Sequence, residues 1–277
     1  MNYLYGLLLG LMEGLGELLP LCGRGHLQAV KEYGLLPAAF LENEGLEVLL
    51  RLGALLAVVL VFHKAIWGMI AGFCSMIAGL FKGTFKWRKA TRYQRMAVYL
   101  LLSTLPLLAA GLLRQKVDYT AMVSGNLLFT GFMMLLSGGL LFIGDHSECK
   151  NWQIADMKPS HSIKLGLFQA FATLPGVSRS GITLSMAMNM GFDREAALEF
   201  SFMMSLPFLG SELFRAETLS ALGALEWSVA AVAAAAAVIS GIGAILLMKY
   251  AVAKDRLFWP TIYCAAAGIA VVVLGIL

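Results

Sequence analysis

The chain has 277 residues, 59% of them hydrophobic and only 14% charged, with a formal net charge of +4 and a mean hydropathy of +0.78. A soluble domain carries about a quarter charged residues, so this composition excludes a soluble fold and predicts an all-α polytopic membrane protein. The net charge sits in loops, where it reports topology, so no nucleic-acid partner is expected; the scattered Cys22, Cys74, Cys149 and Cys264 have neither metal-ligand spacing nor a disulfide framework.

The first apolar region, 3–40, is broken by Pro and Gly near its middle. It lacks a basic n-region and is interrupted by Glu13 and Glu17, which argues against a cleavable signal peptide. Irregular backbone at membrane depth survives only where it is buried in protein or lines a cavity, so a re-entrant helical hairpin is expected here. The segment Glu13-Gly-Leu-Gly-Glu17-Leu-Leu-Pro20-Leu-Cys22-Gly23-Arg24-Gly25-His26 sets charges where each costs about 2.5–3.5 kcal/mol on insertion scales, so they need partners or a wet cavity. Glu13 and Glu17 are four apart and share one helix face about a turn from each other. Two carboxylates so placed suit a hard divalent cation, expected to be Mg²⁺, with waters and a substrate phosphate completing its shell; one of them can instead serve as a base. His26 lies just past the break, where backbone freedom could bring it to the carboxylates as proton donor or nucleophile. His63, His146 and His161 sit near loops and are expected to have no such role.

Six spans are expected, at about 46–63, 96–113, 126–143, 195–214, 227–249 and 257–277. The stretch 65–81 has basic residues at both ends, His63-Lys64 and Lys82, so crossing the membrane and lying along its interface both stay open. Lys82, Lys86, Arg88, Lys89, Arg92 and Arg95 form a run with no acid, which places that loop in the cytoplasm. Lys249, Lys254 and Arg256, against Asp255 alone, put the loop before the last helix on the same side. Both termini then lie outside, the first hairpin enters from the outer face, and a second broken region, 162–192, enters as a hairpin from the cytoplasmic face.

Within that second region, Pro175-Gly176-Val177-Ser178-Arg179-Ser180-Gly181-Ile182-Thr183 reads as a phosphate cradle. Gly176 and Gly181 let the backbone approach, N–H groups at the start of the following helix face the anion, and Arg179 supplies a charged fork. Asp193, Arg194 and Glu195 are expected to cap the next helix. Glu47, Arg51 and Glu199 are further intramembrane charges, either members of the site or supports for it. The two halves also align: Gly10, Glu13, Glu17, Pro20 and Gly25 match Gly166, Gln169, Thr173, Pro175 and Gly181, and Leu46-Glu47 matches Leu198-Glu199. Similar halves of opposite orientation predict an inverted repeat, about 1–113 and 126–249 with a final helix at 257–277, in a single integral membrane domain with its site at the repeat interface.

Together these residues resemble the undecaprenyl-diphosphatase family, the bacitracin-resistance type of bacterial membrane phosphatase, over almost the whole chain. The family's first motif runs roughly E-G-x-x-E-F-x-P-V-S-S-T-G-H and is met by Glu13 to His26; its second, P-G-x-S-R-S-G-x-T, is complete from Pro175 to Thr183. Its F-Q and E-F-S-F stand here as Phe168-Gln169 and as Glu199 to Phe202. The resemblance implies about six spans with two re-entrant hairpins in an inverted repeat. It also implies hydrolysis of undecaprenyl diphosphate to undecaprenyl phosphate, at the outer face of the bacterial inner (plasma) membrane, recycling the lipid carrier of cell-wall synthesis. Carried over residue by residue, it gives Glu13 and Glu17 the divalent metal and water, His26 the proton transfer and Arg179 the phosphate. Ser178, Ser180 and Thr183 would contribute hydroxyl or backbone contacts, and apolar span surface would hold the polyprenyl tail. Partners implied are the polyprenyl (di)phosphate lipid and the membrane, with a homodimer left open.

The first motif departs from the family where two serines and a threonine become Cys22, Gly23 and Arg24, and Arg51 stands where the family commonly has glutamine. The second of those serines is the family's proposed nucleophile or hydroxyl ligand, and Gly23 can be neither. Arg24 and Arg51 add cations beside the carboxylates, so they are expected to bind phosphate or to neutralise Glu17 and Glu47, weakening or replacing the metal. Three consequences stay open: water or His26 acts as nucleophile; Cys22 substitutes for the serine; or hydrolysis is lost and the chain is an altered paralogue that binds or translocates a polyprenyl phosphate.

Overall fold

The computed structural model describes residues 2–117, 123, 125–211 and 225–276. Among these the chain is helical, with no strand beyond one isolated bridge between Trp152 and Phe192. The fold is therefore the all-α polytopic membrane architecture that composition predicts.

Two helix pairs form hairpins. The first joins α1 (Asn2–Leu18) to α2 (Gly23–Glu32), and the second joins α7 (Pro159–Phe171) to α8 (Arg179–Asn189). Pro20 cannot continue α1, and Cys22 turns the chain back with a left-handed backbone, φ 57° and ψ 46°. A short α3 (Ala38–Leu41) leads into the first long helix. At 10, 13 and 11 residues, α2, α7 and α8 reach only ~15–20 Å, short of a hydrocarbon core about 30 Å thick.

Five helices are long and apolar enough to cross a membrane: α4 (Glu44–Phe81), α5 (Arg92–Lys116), α6 (Leu127–Asp145), α10 (Trp227–Ala253) and α11 (Phe258–Ile276). The sixth expected span, 195–214, corresponds to α9 (Arg194–Gly210), a 17-residue helix buried along most of its length; residues 212–214 lie outside the described residues. Asp193 caps α9 by accepting from the Glu195 and Ala196 amides, and Arg194 pairs with Asp145 and Asp255, so these charges serve the fold as expected.

The ambiguous stretch 65–81 is no separate element. It continues α4 past a kink at Phe62 (φ −107°, ψ 18°), giving one helix of 38 residues. At 1.5 Å per residue that is ~57 Å, far more than a bilayer core requires.

The close packing around α1 follows from its small residues. Gly6, Gly10 and Gly14 repeat every four residues and lie against α10, where a Cβ on Gly10 would stand 2.2 Å from the Ala233 carbonyl oxygen and one on Gly14 2.4 Å from that of Ala237. Lipid gives apolar helices little reason to associate, so such backbone approach is what binds α1 to α10. That seating fixes the helix that carries Glu13 and Glu17.

Candidate active site

The two hairpins meet tip to tip. Ser180 Oγ donates to the Leu19 carbonyl at 3.0 Å, across the turn of the first hairpin. Gly176 has φ +84°, and a Cβ there would stand 2.2 Å from the Thr130 carbonyl oxygen of α6. Ser178 Oγ accepts from the Gly181 amide at 3.2 Å and caps α8. Glycines and serines thus seat the start of α8 against α6 and against the first hairpin, which sets Arg179 beside Glu17.

Arg179 Nε donates to Glu17 Oε1 at 2.8 Å, and Arg179 Nη2 donates to the Glu17 carbonyl at 3.4 Å. Arg179 is 4% exposed and Glu17 7%. This is a buried ion pair between hairpins, and a buried charge without such a partner is strongly destabilising. One donor is left over: Arg179 Nη1 is buried with no hydrogen-bond partner.

The other predicted charges gather around this pair. Glu13, 6% exposed, has Arg51 Nε at 3.9 Å from its Oε1, too long for a hydrogen bond. Arg51 pairs with Glu47 one turn away on α4. Arg24 stacks its guanidinium over the ring of Phe208 at 5.1 Å, and Arg179 approaches the same ring at 5.6 Å. Among the described residues Arg24 has no carboxylate within 4.0 Å. Two guanidiniums therefore share one aromatic platform, one with a spare donor and the other with no ion pair. Cation–π contact of this kind holds a guanidinium in place without neutralising it.

Not every predicted residue joins them. Arg24 and His26 are two apart on α2, so they point to opposite sides of that helix. Arg24 faces Phe208 of α9, whereas His26 faces α11: its Nδ1 bonds the Cys22 carbonyl at 3.0 Å and its Nε2 bonds Tyr263 Oη at 2.8 Å. The ring of His26 is thus engaged on both nitrogens, on the face of α2 opposite Arg24. Cys22 is likewise turned aside, fully buried with its Sγ 3.6 Å from Cys264 Sγ. The hydroxyls of the second motif are already engaged: Ser178 caps its helix, Ser180 holds Leu19, and Thr183 Oγ1 donates to the Arg179 carbonyl at 2.8 Å and contacts Ser201 Oγ at 2.6 Å.

Gly23 has a steric reason. A Cβ there would stand 2.5 Å from Gly16 Cα and 2.8 Å from the Gly16 carbonyl oxygen. The hairpin arms touch at this glycine pair. Gly23→Ser should therefore lower stability by about 1–3 kcal/mol, as overpacking does, measured as a fall in the thermal midpoint of the purified protein.

The residues present fit a divalent cation poorly. Glu17 is committed to Arg179, Glu13 stands nearest Arg51, and Arg24 adds a third guanidinium on the same side. A cation placed here would face three guanidiniums, which already supply the positive charge a phosphate needs. Phe208 and Tyr263 had no distinguishing mark in the sequence, since both read as ordinary residues of apolar helices.

The family model described as bacitracin resistance protein BacA matches residues 6–270. The chain is 31% identical over 281 residues to the undecaprenyl-diphosphatase of Christiangramia forsetii, covering 99% of each protein. It is 32% identical over 279 residues to that of Pelotomaculum thermopropionicum, covering 99% of this chain and 97% of the relative. With that of Desulforapulum autotrophicum it shares 28% over 279 residues and 99% of each protein.

Proposed function

Because the chain belongs to the bacitracin resistance protein BacA family, we propose that it hydrolyses undecaprenyl diphosphate to undecaprenyl phosphate, with Arg24 and Arg179 holding the terminal phosphate between the two hairpin tips. The observation that carries this reading is the shared Phe208 platform, which presents two guanidiniums, one with a spare donor and the other with no ion pair among the described residues. Relatives spanning nearly the whole chain are named for this activity, which supports the substrate class.

In this mechanism a water oxygen attacks the terminal phosphorus while the bond to the bridging oxygen breaks. Inorganic phosphate is released, and the polyprenyl phosphate leaves with the bonding electron pair. The transition state spreads charge over the equatorial oxygens, so positioned cations supply most of the catalysis. Arg179 and Arg24 take that role. Glu17 holds Arg179 in register, and Glu13, which has no hydrogen-bonded cation among the described residues, takes the proton from the attacking water. Arg51 is held by Glu47 at the edge of the cluster and adds to the positive field. His26 anchors α2 to α11 through Tyr263 and is a positioning residue for Arg24. No step runs through a metal.

The membrane-embedded fold suits a lipid substrate, with the polyprenyl tail against the apolar outer faces of the spans. Access from the outer face of a bacterial plasma membrane belongs to the same reading, its orientation supported by the acid-free basic run 82–95, which favours the cytoplasmic side. Because Cys22 faces Cys264, Cys22→Ser should leave phosphate release unchanged in a malachite-green assay. A large loss would instead assign the thiol a part in the chemistry.

One observation favours a second reading. With Gly23 in place of a serine and Cys22 turned to Cys264, these two positions of the first motif offer no nucleophile to the site, which suits binding or translocation of a polyprenyl phosphate without hydrolysis. Transfer of lipid phosphate across liposomes with no phosphate release would establish that reading over the first.

A further inference from the structure

We infer that the protein has a second ligand site, for the headgroup of a zwitterionic phospholipid bearing a primary amine, at the end of the bundle that carries the basic loop 82–95. A cavity of about 660 Å³ lies there, where the kink of α4 meets the starts of α5 and α9 and the end of α10. That volume is in the range of small-molecule pockets. No residue of either hairpin lines it, so it is separate from the site of the two arginines.

Its lining includes His63, Lys64, Glu195, Glu199 and Lys249 beside Tyr93. Glu199 is engaged by Arg92. Lys64, Lys249 and Glu195 have no ion-pair partner among the described residues. Lys249 is nevertheless fixed in position, its ammonium 4.4 Å from the centre of the Phe62 ring at the α4 kink. Other buried or half-buried charges at helix junctions are paired, as in Arg179 with Glu17 and Arg194 with Asp145 and Asp255. Here both signs are left open in one cavity.

The arrangement selects the ligand. The lysines come from α4 and α10, and the carboxylates from α9. A phosphate can take charge-assisted bonds from the two ammoniums, while a primary amine donates to Glu195 and Glu199. A purely anionic headgroup would meet the carboxylates with nothing to offer them, and a simple cation would leave the lysines unserved. An aminoethyl phosphate carries both charges a few bonds apart. The rest of a lipid also has a place: Leu246, one turn before Lys249 on α10, is 55% exposed, and Trp67, just past the kink, is 72% exposed, apolar surface that suits acyl chains.

The test is native mass spectrometry of the purified protein in detergent, titrated separately with phosphatidylethanolamine, phosphatidylglycerol and water-soluble glycerophosphoethanolamine. The lipid amine should be retained about tenfold more tightly than phosphatidylglycerol, and Lys249→Gln, Lys64→Gln and Glu195→Gln should each weaken it about tenfold, the loss of one charge-assisted bond. Glu195→Gln should keep full phosphate release, which separates this site from the hairpin site even if the hydrolytic reading fails. Equal or tighter retention of phosphatidylglycerol, or retention unaffected by Glu195→Gln, would overturn the proposal. So would glycerophosphoethanolamine binding as tightly as the lipid, which would make the site one for a soluble metabolite. Of the two lysine variants, either one that remains monodisperse suffices.

Discussion

Arg179→Lys should lose phosphate release by about 10³-fold or more, the scale on which transition-state arginines act in phosphoryl transfer, while folding far better than Arg179→Ala. The two substitutions separate the roles this residue combines. Alanine leaves Glu17 as an uncompensated charge, 7% exposed, at a cost of about 3–5 kcal/mol. Lysine keeps a cation against Glu17 Oε1 but lacks the fork, so it cannot serve the carboxylate and present the spare Nη1 donor together. Stability read by thermal midpoint and activity read by phosphate release should therefore move apart. Glu17→Gln completes the comparison: the double variant with Arg179→Ala should be less destabilised than the sum of the single variants, because the two side chains form one buried unit. If Arg179→Lys kept most of its activity, the fork would have no part in catalysis.

The second large effect concerns Arg24. Arg24→Gln should lower kcat by about 10²–10³-fold, typical for removal of one preorganised electrostatic contact, with little change in thermal midpoint. The stability expectation follows from the structure: Arg24 has no ion pair among the described residues, only the face of Phe208, so its loss strands no buried partner. Charge balance gives a further consequence. Glu13, Glu17 and Glu47 stand against Arg24, Arg51 and Arg179. Removing Arg24 leaves the cluster one positive charge short, the condition in which a divalent cation becomes useful. Mg²⁺ should therefore restore part of the activity of Arg24→Gln while doing nothing for the native protein. Identical Mg²⁺ responses in both would detach Arg24 from the metal's role.

Much of this was legible in the sequence because a membrane interior tolerates few charges. Glu13, Glu17, Arg24, Arg51 and Arg179 stood out by their cost alone, and that cost demanded partners, which the Glu17–Arg179 pair supplies across the two hairpins. The Pro and Gly breaks marked both hairpin tips for the same reason. What the sequence hid is mostly a matter of helix phase. His26 looked free to move past the break, but α2 starts immediately at Gly23, and a two-residue separation then sends Arg24 and His26 to opposite faces. The backbone partners of the second motif's hydroxyls were not readable either: Ser180 donates to Leu19, Thr183 donates to Arg179, and Ser178 accepts from the Gly181 amide. The charges at His63-Lys64 suggested an end to α4, yet the helix continues past a kink at Phe62, since long basic side chains can reach outward from a helix without ending it. Nothing in the sequence distinguished Phe208 as a platform for two arginines.

In this site guanidiniums do what a metal would otherwise do. Phosphate release from undecaprenyl diphosphate by the purified native protein, with Mg²⁺ and with a chelator in excess, measures this directly. The site described predicts equal rates in both conditions. Release that requires Mg²⁺, or that is absent with and without it, would contradict it.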